Sequence, residues 1–426
     1  MKSKQRDILG TLFTQAIRAA DPETALAKHL PAPPKGRTIV IGAGKGAAQL
    51  GAAFESLWQQ PLAGTIVTRY GYATPCKSIT VIEASHPVPD HAGLNATKAL
   101  FETVKNLDPD DLVVALISGG GSALLPSPPE GLTFDDDVAL NQVLLASGAP
   151  ISAMNAIRKQ LSKIKGGRLA AACAPARVVS LIVSDVPGDD PAQVASGPTV
   201  PDTTDRADAL AAIKAYNIAL PANIMAYLEN APEDAPSPDN PAFIRNEVHV
   251  IASAARSLEA AAAHCQSIGL QAVILSDAIE GESREIAKMH AAIARQTLHN
   301  NRPFSAPVVL LSGGETTVTL RGEKWGKGGR NSEFALAFAL EIEGSKGITA
   351  LAADTDGIDG SQDNAGAFVD GTTTARLRAL GHDPVDYLSR NDAYSALAHA
   401  GDLFMTGPTG TNVNDFRAIL IDPRPQ

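Results

Sequence analysis

The strongest constraint on the fold of this chain is a repeated alternation of short apolar segments with longer amphipathic ones. The short segments are β-branched and almost continuously apolar, which is typical of strands buried on both faces of a sheet. The stretches between them, such as 47–58 and 91–107, have the length and spacing of helices. This alternation predicts an α/β fold with a mainly parallel sheet. The predicted strands lie at 38–41, 65–68, 79–83, 112–117, 178–183, 248–252, 272–275, 308–311, 318–321, 348–352 and 418–421.

A proline-rich segment interrupts the alternation near the middle of the chain. Residues 230–241 contain four prolines, which exclude a helix or a central strand. At about 100–200 residues per domain, a chain of this length has room for two domains. We therefore predict an α/β domain over 1–235 and a second over 240–426.

Charge and composition exclude several classes of protein. The formal net charge of −10 and the 4% of aromatic residues argue against a nucleic-acid-binding protein. No apolar run reaches the roughly 18–20 residues that span a bilayer, so we expect no membrane partner. Residues 1–21 have amphipathic spacing broken by charges rather than a signal-peptide core. The three cysteines include no CxxC, which disfavours disulfides and zinc. A cytoplasmic location is the expectation.

Three glycine-rich turns follow predicted strands. Glycine lets backbone N–H groups approach an anion at the start of a helix, and α/β sheets bind ligands beyond the carboxyl ends of their strands. The turns therefore predict sites for phosphate or carboxylate, and for each the alternative is a tight turn without a ligand. The candidate residues are Gly42, Gly44, Lys45, Gly46, Ser118, Gly119, Gly120, Gly121, Ser122, Gly313 and Gly314.

The first turn also matches part of a dinucleotide-binding pattern, Gly42-x-Gly44-x-x-Ala47. That pattern requires an acid about 20 residues further on. The position holds Thr68-Arg69-Tyr70, which disfavours NAD, although Arg69 would suit the 2′-phosphate of NADP. Neither a P-loop nor a protein-kinase signature occurs.

Two basic islands interrupt this acidic chain. Residues 138–184 contain no Asp or Glu, which suggests an anionic ligand, the alternative being a solvated helix face. The second island, 321–331, combines cations with glycines and precedes a predicted helix. It predicts a mobile loop that brings Arg330 to an anion, the alternative being a surface hairpin. The cations of the first island are Arg158, Lys159, Lys163, Lys165, Arg168 and Arg177.

Two acidic loops, 184–190 and 353–363, also follow predicted strands. Carboxylates in such loops are the usual ligands of a Mg²⁺ that rides on substrate phosphates. Asp189 or Asp190, with Glu315 and Asp354, would hold the metal or accept a proton. Asp189 is the candidate catalytic residue and Asp190, Glu315 and Asp354 are the candidate metal ligands, but the sequence does not assign the proton acceptor to one of them. His86 has a possible acid–base role, but a histidine in this position is more often structural.

The motifs together resemble the MOFRL-containing type of ATP-dependent glycerate 2-kinase, over nearly the whole chain. The matching phrases in the first half are VIGAGKGA at 40–47, HPVPD at 86–90, ISGGGSALL at 117–125 and MNAIRKQLSKIKGGRLA at 154–170. SDVPGDD at 184–190 and ASGPTVPD at 195–202 follow. The phrases in the second half are LSGGETTV at 311–318, GKGGRNSEFAL at 326–336, AADTDGIDG at 352–360 and TGPTGTNVND at 406–415.

The resemblance implies a larger N-terminal Rossmann-like domain of three α/β/α layers and a smaller C-terminal α/β domain with the MOFRL segment. It implies an active site in the cleft between them. The implied reaction transfers the γ-phosphoryl group of ATP to the 2-hydroxyl of D-glycerate, with Mg²⁺ or another divalent cation. By motif match, Lys45 and Arg330 are the family's catalytic lysine and arginine. The matching phrases add Asn331, Thr409 and Asn412 as candidate nucleotide-binding residues.

Two other functions stay open at the level of the sequence. Relatives of this family are often labelled hydroxypyruvate reductases, so an NADPH-dependent reductase is the main alternative. A non-catalytic sugar-acid-binding protein is the weaker one, because ionisable residues in glycine loops would then lack a purpose. A homodimer is the candidate assembly.

Overall fold

A computed structural model describes residues 4–231, 233–320 and 325–423. The chain divides into two compact units. One comprises Pro22–Ile251, and the other joins the residues up to Asp21, with helix α1 (Lys4–Ala20), to the chain from Ala252 onward. We call the first the Rossmann-ordered unit and the second the mixed-sheet unit, after their sheets.

The sheet of the Rossmann-ordered unit has the strand order β3-β2-β1-β4-β5-β6. All pairs from β3 to β5 are parallel, as predicted from the apolar strands. This is the Rossmann order, in which the chain reverses direction across the sheet between β1 and β4. The turns that follow these two neighbouring strands therefore lie at the switch point where α/β sheets bind ligands. The strands are β1 (Thr38–Ala43), β2 (Leu62–Arg69), β3 (Ile79–Ala84), β4 (Leu112–Ser118), β5 (Arg177–Val183) and β6 (Glu247–Ala252).

Helices cover this sheet, and β1 and β4 are therefore buried along their whole length. Helix α4 packs against β2 and β3, and its first turn is capped by Asp90, whose carboxylate accepts a hydrogen bond from Gly93 N. A separate apolar cluster joins α6, α7, α9 and α10. The helices are α2 (Pro22–Ala27), α3 (Ala47–Leu57), α4 (His91–Thr103), α5 (Gly121–Leu124), α6 (Phe134–Ala146), α7 (Ile151–Gln160), α8 (Arg168–Ala172), α9 (Arg206–Ala215) and α10 (Ala222–Asn230), with 3₁₀ turns at Pro187–Asp189, Val194–Ser196 and Pro241–Phe243.

The second sheet has the order β11-β10-β9-β12-β8-β7. Only its β7–β8 pair is parallel, and the other pairs are antiparallel. The prediction of a mainly parallel sheet thus applies to the first unit alone, because buried apolar strands look alike in either direction. The strands are β7 (Gln271–Glu282), β8 (Val308–Thr317), β9 (Ile348–Asp354), β10 (Gly366–Asp370), β11 (Leu403–Phe404) and β12 (Asp415–Ile421).

Helices pack on both faces of the mixed sheet, which gives three layers. Helices α1 and α11 share one apolar cluster with it, and α12, α13, α14 and α16 share the other. The stripe of α1 that includes Leu9, Leu12 and Phe13 is fully buried in this way. The remaining helices are α11 (Ala254–Ser267), α12 (Ser283–Asn300), α13 (Arg330–Glu341), α14 (Thr373–Ala379), α15 (Pro384–Ser389) and α16 (Ala393–Ala400).

This division differs from the predicted domains 1–235 and 240–426 at both ends. The chain adds β6 to the first sheet after the proline-rich segment and only then enters the second unit. The N-terminal helix α1 belongs to the second unit, because its apolar stripe packs on the second sheet. A linker composition marks an irregular segment and does not show which sheet the next strand joins.

Two further features differ from the sequence prediction. The predicted strand at 318–321 is wrong over 318–320, because β8 runs through Gly313 and Gly314 and ends at Thr317, and Arg321 lies outside the described residues. The short strands β10 and β11 were not predicted. Within the described chain, no helix is both long and apolar enough to cross a membrane.

Candidate functional site

The first two glycine turns pack directly against each other at the switch point. Lys45 N donates to Gly119 O over 2.9 Å, and Gly46 N donates to Ser118 Oγ over 3.0 Å. Gly44 has a φ of +132°, and a β-carbon there would lie 2.3 Å from the oxygen of Ser118. Only glycine fits this close approach. The structure thus places side by side two turns that the sequence predicted as anion sites.

Lys45 and His86 converge over the second turn. A β-carbon on Gly120 would lie 3.0 Å from Lys45 Cγ and 3.2 Å from His86 Nε2. Burial, together with the charges of Lys45 and Arg69, lowers the pKa of His86 to about 4. In the described part of the chain, Lys45 has no carboxylate within ion-pair distance. Lys45 and Arg69 therefore supply positive charge that favours an anion at this edge of the sheet, while His86 is neutral near pH 7.

Asp185 is the carboxylate that the structure places against this turn. A β-carbon on Gly119 would lie 1.8 Å from Asp185 Oδ2, so the carboxylate occupies the space that glycine leaves. The predicted Asp189 lies at the end of a 3₁₀ turn. Asp190 is exposed and accepts hydrogen bonds from Ala192 N and Gln193. Sequence reasoning missed Asp185 and favoured a structural role for His86, although both follow predicted strands at the ligand-binding edge.

The first basic island is not a solvated helix face, because three of its cations are buried. Arg158, Lys159 and Lys165 expose 6%, 0% and 2% of their surface. Lys159 pairs with Asp202, and Lys165 Nζ donates to Leu125 O over 3.0 Å. Burial lowers the pKa of Lys159 to about 8 and that of Arg158 to about 10. These three charges are therefore held inside the unit rather than exposed to solvent.

In the mixed-sheet unit, Arg330 is bound by three carboxylates. Its Nη1 donates to Glu315 over 2.6 Å, its Nη2 to Asp354 over 2.8 Å and its Nε to Asp415 over 2.7 Å. Burial acts to lower the pKa of Arg330, but the three carboxylates raise it well above its usual value. Burial also raises the pKa of Asp354, and the charge of Arg330 opposes that shift.

A second, fully buried arginine lies behind this cluster. Arg417 Nη2 donates to Asp415 Oδ2 over 2.5 Å, and its guanidinium stacks 5.1 Å from the ring centroid of Phe334. The side-chain amide of Asn331 donates to Asp415 Oδ1 over 2.8 Å and is itself fully buried. Asp415 thus bridges two arginines. Neither Asp415 nor Arg417 was a predicted site residue, although the matching phrase 406–415 contains the aspartate.

The start of α13 already holds an anion that belongs to this chain. Asp359 accepts hydrogen bonds from the backbone N–H groups of Asn331 and Ser332, at 2.9 and 2.8 Å. A β-carbon on Gly329 would lie 2.3 Å from the same carboxylate. Arg330 does begin a helix, as predicted, but the helix terminus is occupied by Asp359. Lys327 is exposed. The other two cations of the second island, Arg321 and Lys324, lie outside the described residues.

The third predicted glycine turn is not a turn. Gly313 and Gly314 lie inside β8, next to a register irregularity of the β7–β8 pair. Gly314 has a φ of +119°, and a β-carbon there would lie 2.2 Å from Ile279 N. The glycines therefore serve the close approach of two strands, and their irregularity leaves Glu315 exposed and facing Arg330.

Thr409 and Asn412 use their polar atoms within their own loop region. Thr409 Oγ1 donates to Thr355 O over 2.5 Å, and Asn412 Oδ1 accepts from Asn414 N over 3.1 Å. The first contact joins the loop at 405–414 to the acidic loop after β9, and the second lies within the loop at 405–414. Both residues precede Asp415, the carboxylate that binds Arg330, by a few positions in the sequence.

Over the described residues, no group of three or more His, Cys, Asp or Glu side chains has the geometry to hold a metal ion alone. Of the predicted metal ligands, Glu315 and Asp354 both bind Arg330, and Asp190 belongs to the other unit. Mg²⁺ in such sites usually keeps several waters and is held by one or two carboxylates plus substrate phosphates.

Two family models match this chain. Residues 8–229 match a domain of unknown function, DUF4147, and residues 308–415 match the MOFRL family. A putative hydroxypyruvate reductase of Agrobacterium vitis is 50% identical over 98% of this chain and 94% of that protein. A D-glycerate 2-kinase of Thermotoga maritima is 39% identical over 96% of this chain and 97% of that protein.

The crystal structure of a glycerate kinase (EC 2.7.1.31) from Thermotoga maritima has the same fold. It superposes with a TM-score of 0.88 at 36% identity, over 98% of this chain and 99% of that one. The Rossmann-ordered sheet and the cationic glycine turns define an α/β enzyme that acts on anionic ligands. With both models and the full-length relatives, the chain belongs to the MOFRL-containing glycerate 2-kinase family.

Proposed function

We propose that this enzyme transfers the γ-phosphoryl group of ATP to the 2-hydroxyl of D-glycerate, giving 2-phosphoglycerate and ADP. The observation that carries the proposal is its 39% identity to a D-glycerate 2-kinase over nearly the full length of both chains. Its charged residues agree with this chemistry, because phosphoryl transfer depends on positioning and charge neutralisation more than on covalent catalysis.

In the Rossmann-ordered unit, the two packed glycine turns would bind phosphate or carboxylate oxygens through backbone N–H groups. Lys45 would contact the transferred phosphoryl group, since its charge is not held by a carboxylate of the described chain. The hydroxyl of the acceptor must lose its proton during transfer. Asp185 lies against the turn and is the carboxylate best placed to accept this proton, with Asp189, on the same loop, as the alternative.

In the mixed-sheet unit, Arg330 would exchange one carboxylate for a phosphoryl oxygen. Glu315 is the exchangeable partner, because 56% of its side chain is exposed against 6% for Asp354 and none for Asp415. The two buried carboxylates would keep the guanidinium in place during the exchange. A planar donor fixed on two sides suits bidentate contact with phosphate.

Mg²⁺ or another divalent cation belongs to the same proposal. The carboxylate oxygens of Glu315, Asp354 and Asp190 are hard ligands of the type this ion prefers, and Glu315 would be released when Arg330 binds phosphate. When bound, the ion would neutralise charge on the ATP phosphates. A cytoplasmic location and a homodimer stay predictions.

The name of the Agrobacterium vitis relative raises NADPH-dependent reduction of hydroxypyruvate as a second candidate. A Rossmann strand order is compatible with it. β2 ends at Arg69, whose guanidinium lies over the ring of Tyr72. The lack of an acid at this position argues against NAD, whereas Arg69 would suit the 2′-phosphate of NADP. Among the residues of this unit, the dinucleotide interpretation therefore rests on the glycine turn and Arg69.

Two parallel assays test the proposal. Purified protein is given D-glycerate, Mg²⁺ and ATP, and ADP release is followed, while NADPH oxidation is followed with hydroxypyruvate. We expect glycerate-dependent ADP release and no NADPH oxidation above the rate without enzyme. Hydroxypyruvate-dependent NADPH oxidation without any ADP release would reject the kinase in favour of the reductase.

A further inference from the structure

A chain of hydrogen bonds runs from the second glycine turn to a buried arginine. Ser122 Oγ bonds to Ser196 Oγ, and Ser196 Oγ to Asn155 Oδ1 over 2.8 Å. Arg158 Nη1 donates to the same Asn155 oxygen over 3.3 Å. The sequence singled out Arg158 only as part of a basic island, and the chemistry proposed above gives it no role.

The direction of each proton in this chain follows from its buried end, Arg158. Arg158 can only donate, so the atom of Asn155 that faces it is the oxygen. The amide nitrogen of Asn155 donates to the backbone oxygen of Gln193 over 3.0 Å, which confirms this orientation. Ser196 must therefore donate its proton to Asn155. Ser122 must in turn donate its only proton to Ser196, which leaves Ser122 Oγ with lone pairs alone.

The backbone around Ser196 is held in an unfavourable conformation that places this hydroxyl. Ala195 and Ser196 have φ angles of +53° and +60°, which non-glycine residues seldom adopt. A β-carbon on Gly121 would lie 2.6 Å from Ala195 Cβ, so the strained segment packs tightly on the turn. Such conformations persist where the surrounding structure requires them and cluster at functional sites.

Arg158 is the anchor of the chain. It is 6% exposed, and its Nε has no hydrogen-bond partner among the described residues. No carboxylate of the described chain pairs with its guanidinium at ion-pair distance, and Asp137 acts on it only through its field. A buried cation is costly. Its contact with Asn155 commits the amide oxygen and so imposes the order of the protons.

We infer that Ser122 Oγ accepts a hydrogen bond from a hydroxyl group of the acceptor substrate and thereby selects a hydroxy acid. The inference rests on the proposed function. Ionised phosphate and carboxylate oxygens are acceptors, so they cannot satisfy the lone pairs of Ser122. A hydroxyl can donate to them. The neighbouring Gly120 lies under Lys45 and His86, which places the acceptor next to the proposed reacting region.

This assignment changes the role that the sequence predicted for Ser122. The sequence predicted Ser122 only as a member of a turn that binds phosphate or carboxylate. With its proton engaged by Ser196, Ser122 instead distinguishes an alcohol from an anion. The ribose hydroxyls of ATP are also donors, and the test below separates them from the hydroxyls of glycerate.

The test compares three variants of the full chain in steady-state kinetics with D-glycerate and ATP. Ser122→Ala removes the acceptor, and Ser196→Ala removes the partner that orients it. Ser180→Ala is the matched control, because Ser180 is a buried hydroxyl of β5 that donates to Thr199 over 2.8 Å and is not a member of the hydrogen-bond chain. Inhibition by D-lactate, which lacks the 3-hydroxyl, and by 3-hydroxypropionate, which lacks the 2-hydroxyl, is measured for each. Thermal unfolding checks that each variant is folded.

Ser122→Ala should lower kcat/KM for glycerate by about 10- to 100-fold and leave the KM for ATP unchanged. Ser196→Ala should cost less, because the lone pairs of Ser122 remain. The analogue that lacks the hydroxyl contacted by Ser122 should bind wild type and Ser122→Ala equally well, whereas the other analogue should bind the variant more weakly. The comparison thereby identifies the hydroxyl that Ser122 contacts. Ser180→Ala should behave as wild type.

Three results would overturn the inference. They are a Ser122→Ala effect on the KM for ATP, an equal weakening of both analogues, or unchanged glycerate kinetics. Failure of the proposed function is distinct from these, because wild type would then release no ADP with glycerate.

Discussion

At the scale of single residues, Lys45 and Arg330 differ in what their charges contact. Lys45 lies at a glycine turn without a carboxylate partner in the described chain, whereas Arg330 is held by three carboxylates. A charge that the protein leaves unpaired is available to a ligand. A charge surrounded by carboxylates also stabilises the fold through its ion pairs.

Replacing Lys45 by Met should therefore affect catalysis alone. We expect a loss of about 100- to 1,000-fold in kcat/KM for glycerate, because one preorganised charge at the transferred group is removed. The free energy of unfolding should change by less than about 0.5 kcal/mol, because no ion pair is broken. Steady-state kinetics and urea unfolding check both parts, and a strong destabilisation with wild-type activity would reject the assignment.

Replacing Arg330 by Met should affect both properties. Removal of the cation leaves Asp354 buried without its ion-pair partner and leaves Asp415 with Arg417 as its remaining arginine. Breaking a buried pair in this way costs about 3–5 kcal/mol. Activity should fall at least as far as for Lys45→Met. Arg330→Lys provides the control, because it keeps the charge but not the three-way geometry, and it should recover part of the stability and little of the activity. An Arg330→Met protein as stable as wild type would contradict the structure of the cluster.

At the scale of elements, the close packing of the turns after β1 and β4 requires glycine at position 44. Gly44→Ala should destabilise the protein by more than about 3 kcal/mol, because the new β-carbon would overlap the backbone of Ser118. Gly71→Ala is the matched control: Gly71 also has a positive φ, +80°, but open space around it. It should cost only about 1–2 kcal/mol. Denaturant unfolding of the two variants gives the comparison, and equal losses would show that strain rather than contact decides.

The sequence predicted these two turns well and the third badly, for a physical reason. Strand periodicity places Gly44 and Gly120 beyond buried strands, and the parallel order makes the strand ends meet at one edge. Gly313 and Gly314 have the same local pattern, yet β8 continues through them because β7 and β12 approach closely. Contacts from distant strands are absent from local sequence. The same limit applies to Asp415 and Asp359, whose roles depend on pairing across the sheet and on α13.

At the scale of the whole molecule, stability should fall on mild acidification. His290 is fully buried, with Nδ1 bonded to Ile286 O and Nε2 to Ser312 Oγ, and burial lowers its pKa to about 4. The unfolded chain binds a proton there below its ordinary pKa near 6.5, whereas the folded chain does not. Stability is therefore present above pH 6.5 and lost as the pH falls toward 4. This site contributes a loss of about 2 kcal/mol between pH 7 and pH 5.

Urea unfolding of wild type and of His290→Gln at both pH values isolates that contribution. The variant should be less stable at pH 7 but should lose about 2 kcal/mol less on acidification. An equal pH dependence in both proteins would show that other groups carry it.

The domain organisation was predictable only in part. The alternation of strands and helices indicated two α/β units, and the apolar strands indicated the parallel sheet. The assignment of α1 to the second unit was not predictable, because its apolar stripe of Leu9, Leu12 and Phe13 could pack on either sheet. The antiparallel pairs of the second sheet were not predictable either, because they too depend on contacts between strands that are distant in the sequence.

The central claim is the transfer of phosphate to the 2-hydroxyl of glycerate, and the proton-coupled ³¹P NMR spectrum of the product tests it most directly. Carbon 2 carries one hydrogen and carbon 3 carries two, so a phosphate on oxygen 2 is split into a doublet and one on oxygen 3 into a triplet. With ATP, Mg²⁺ and D-glycerate we predict a new doublet that grows with ADP. A triplet would place the phosphate on the other hydroxyl, and the absence of any new ester signal would contradict the kinase itself.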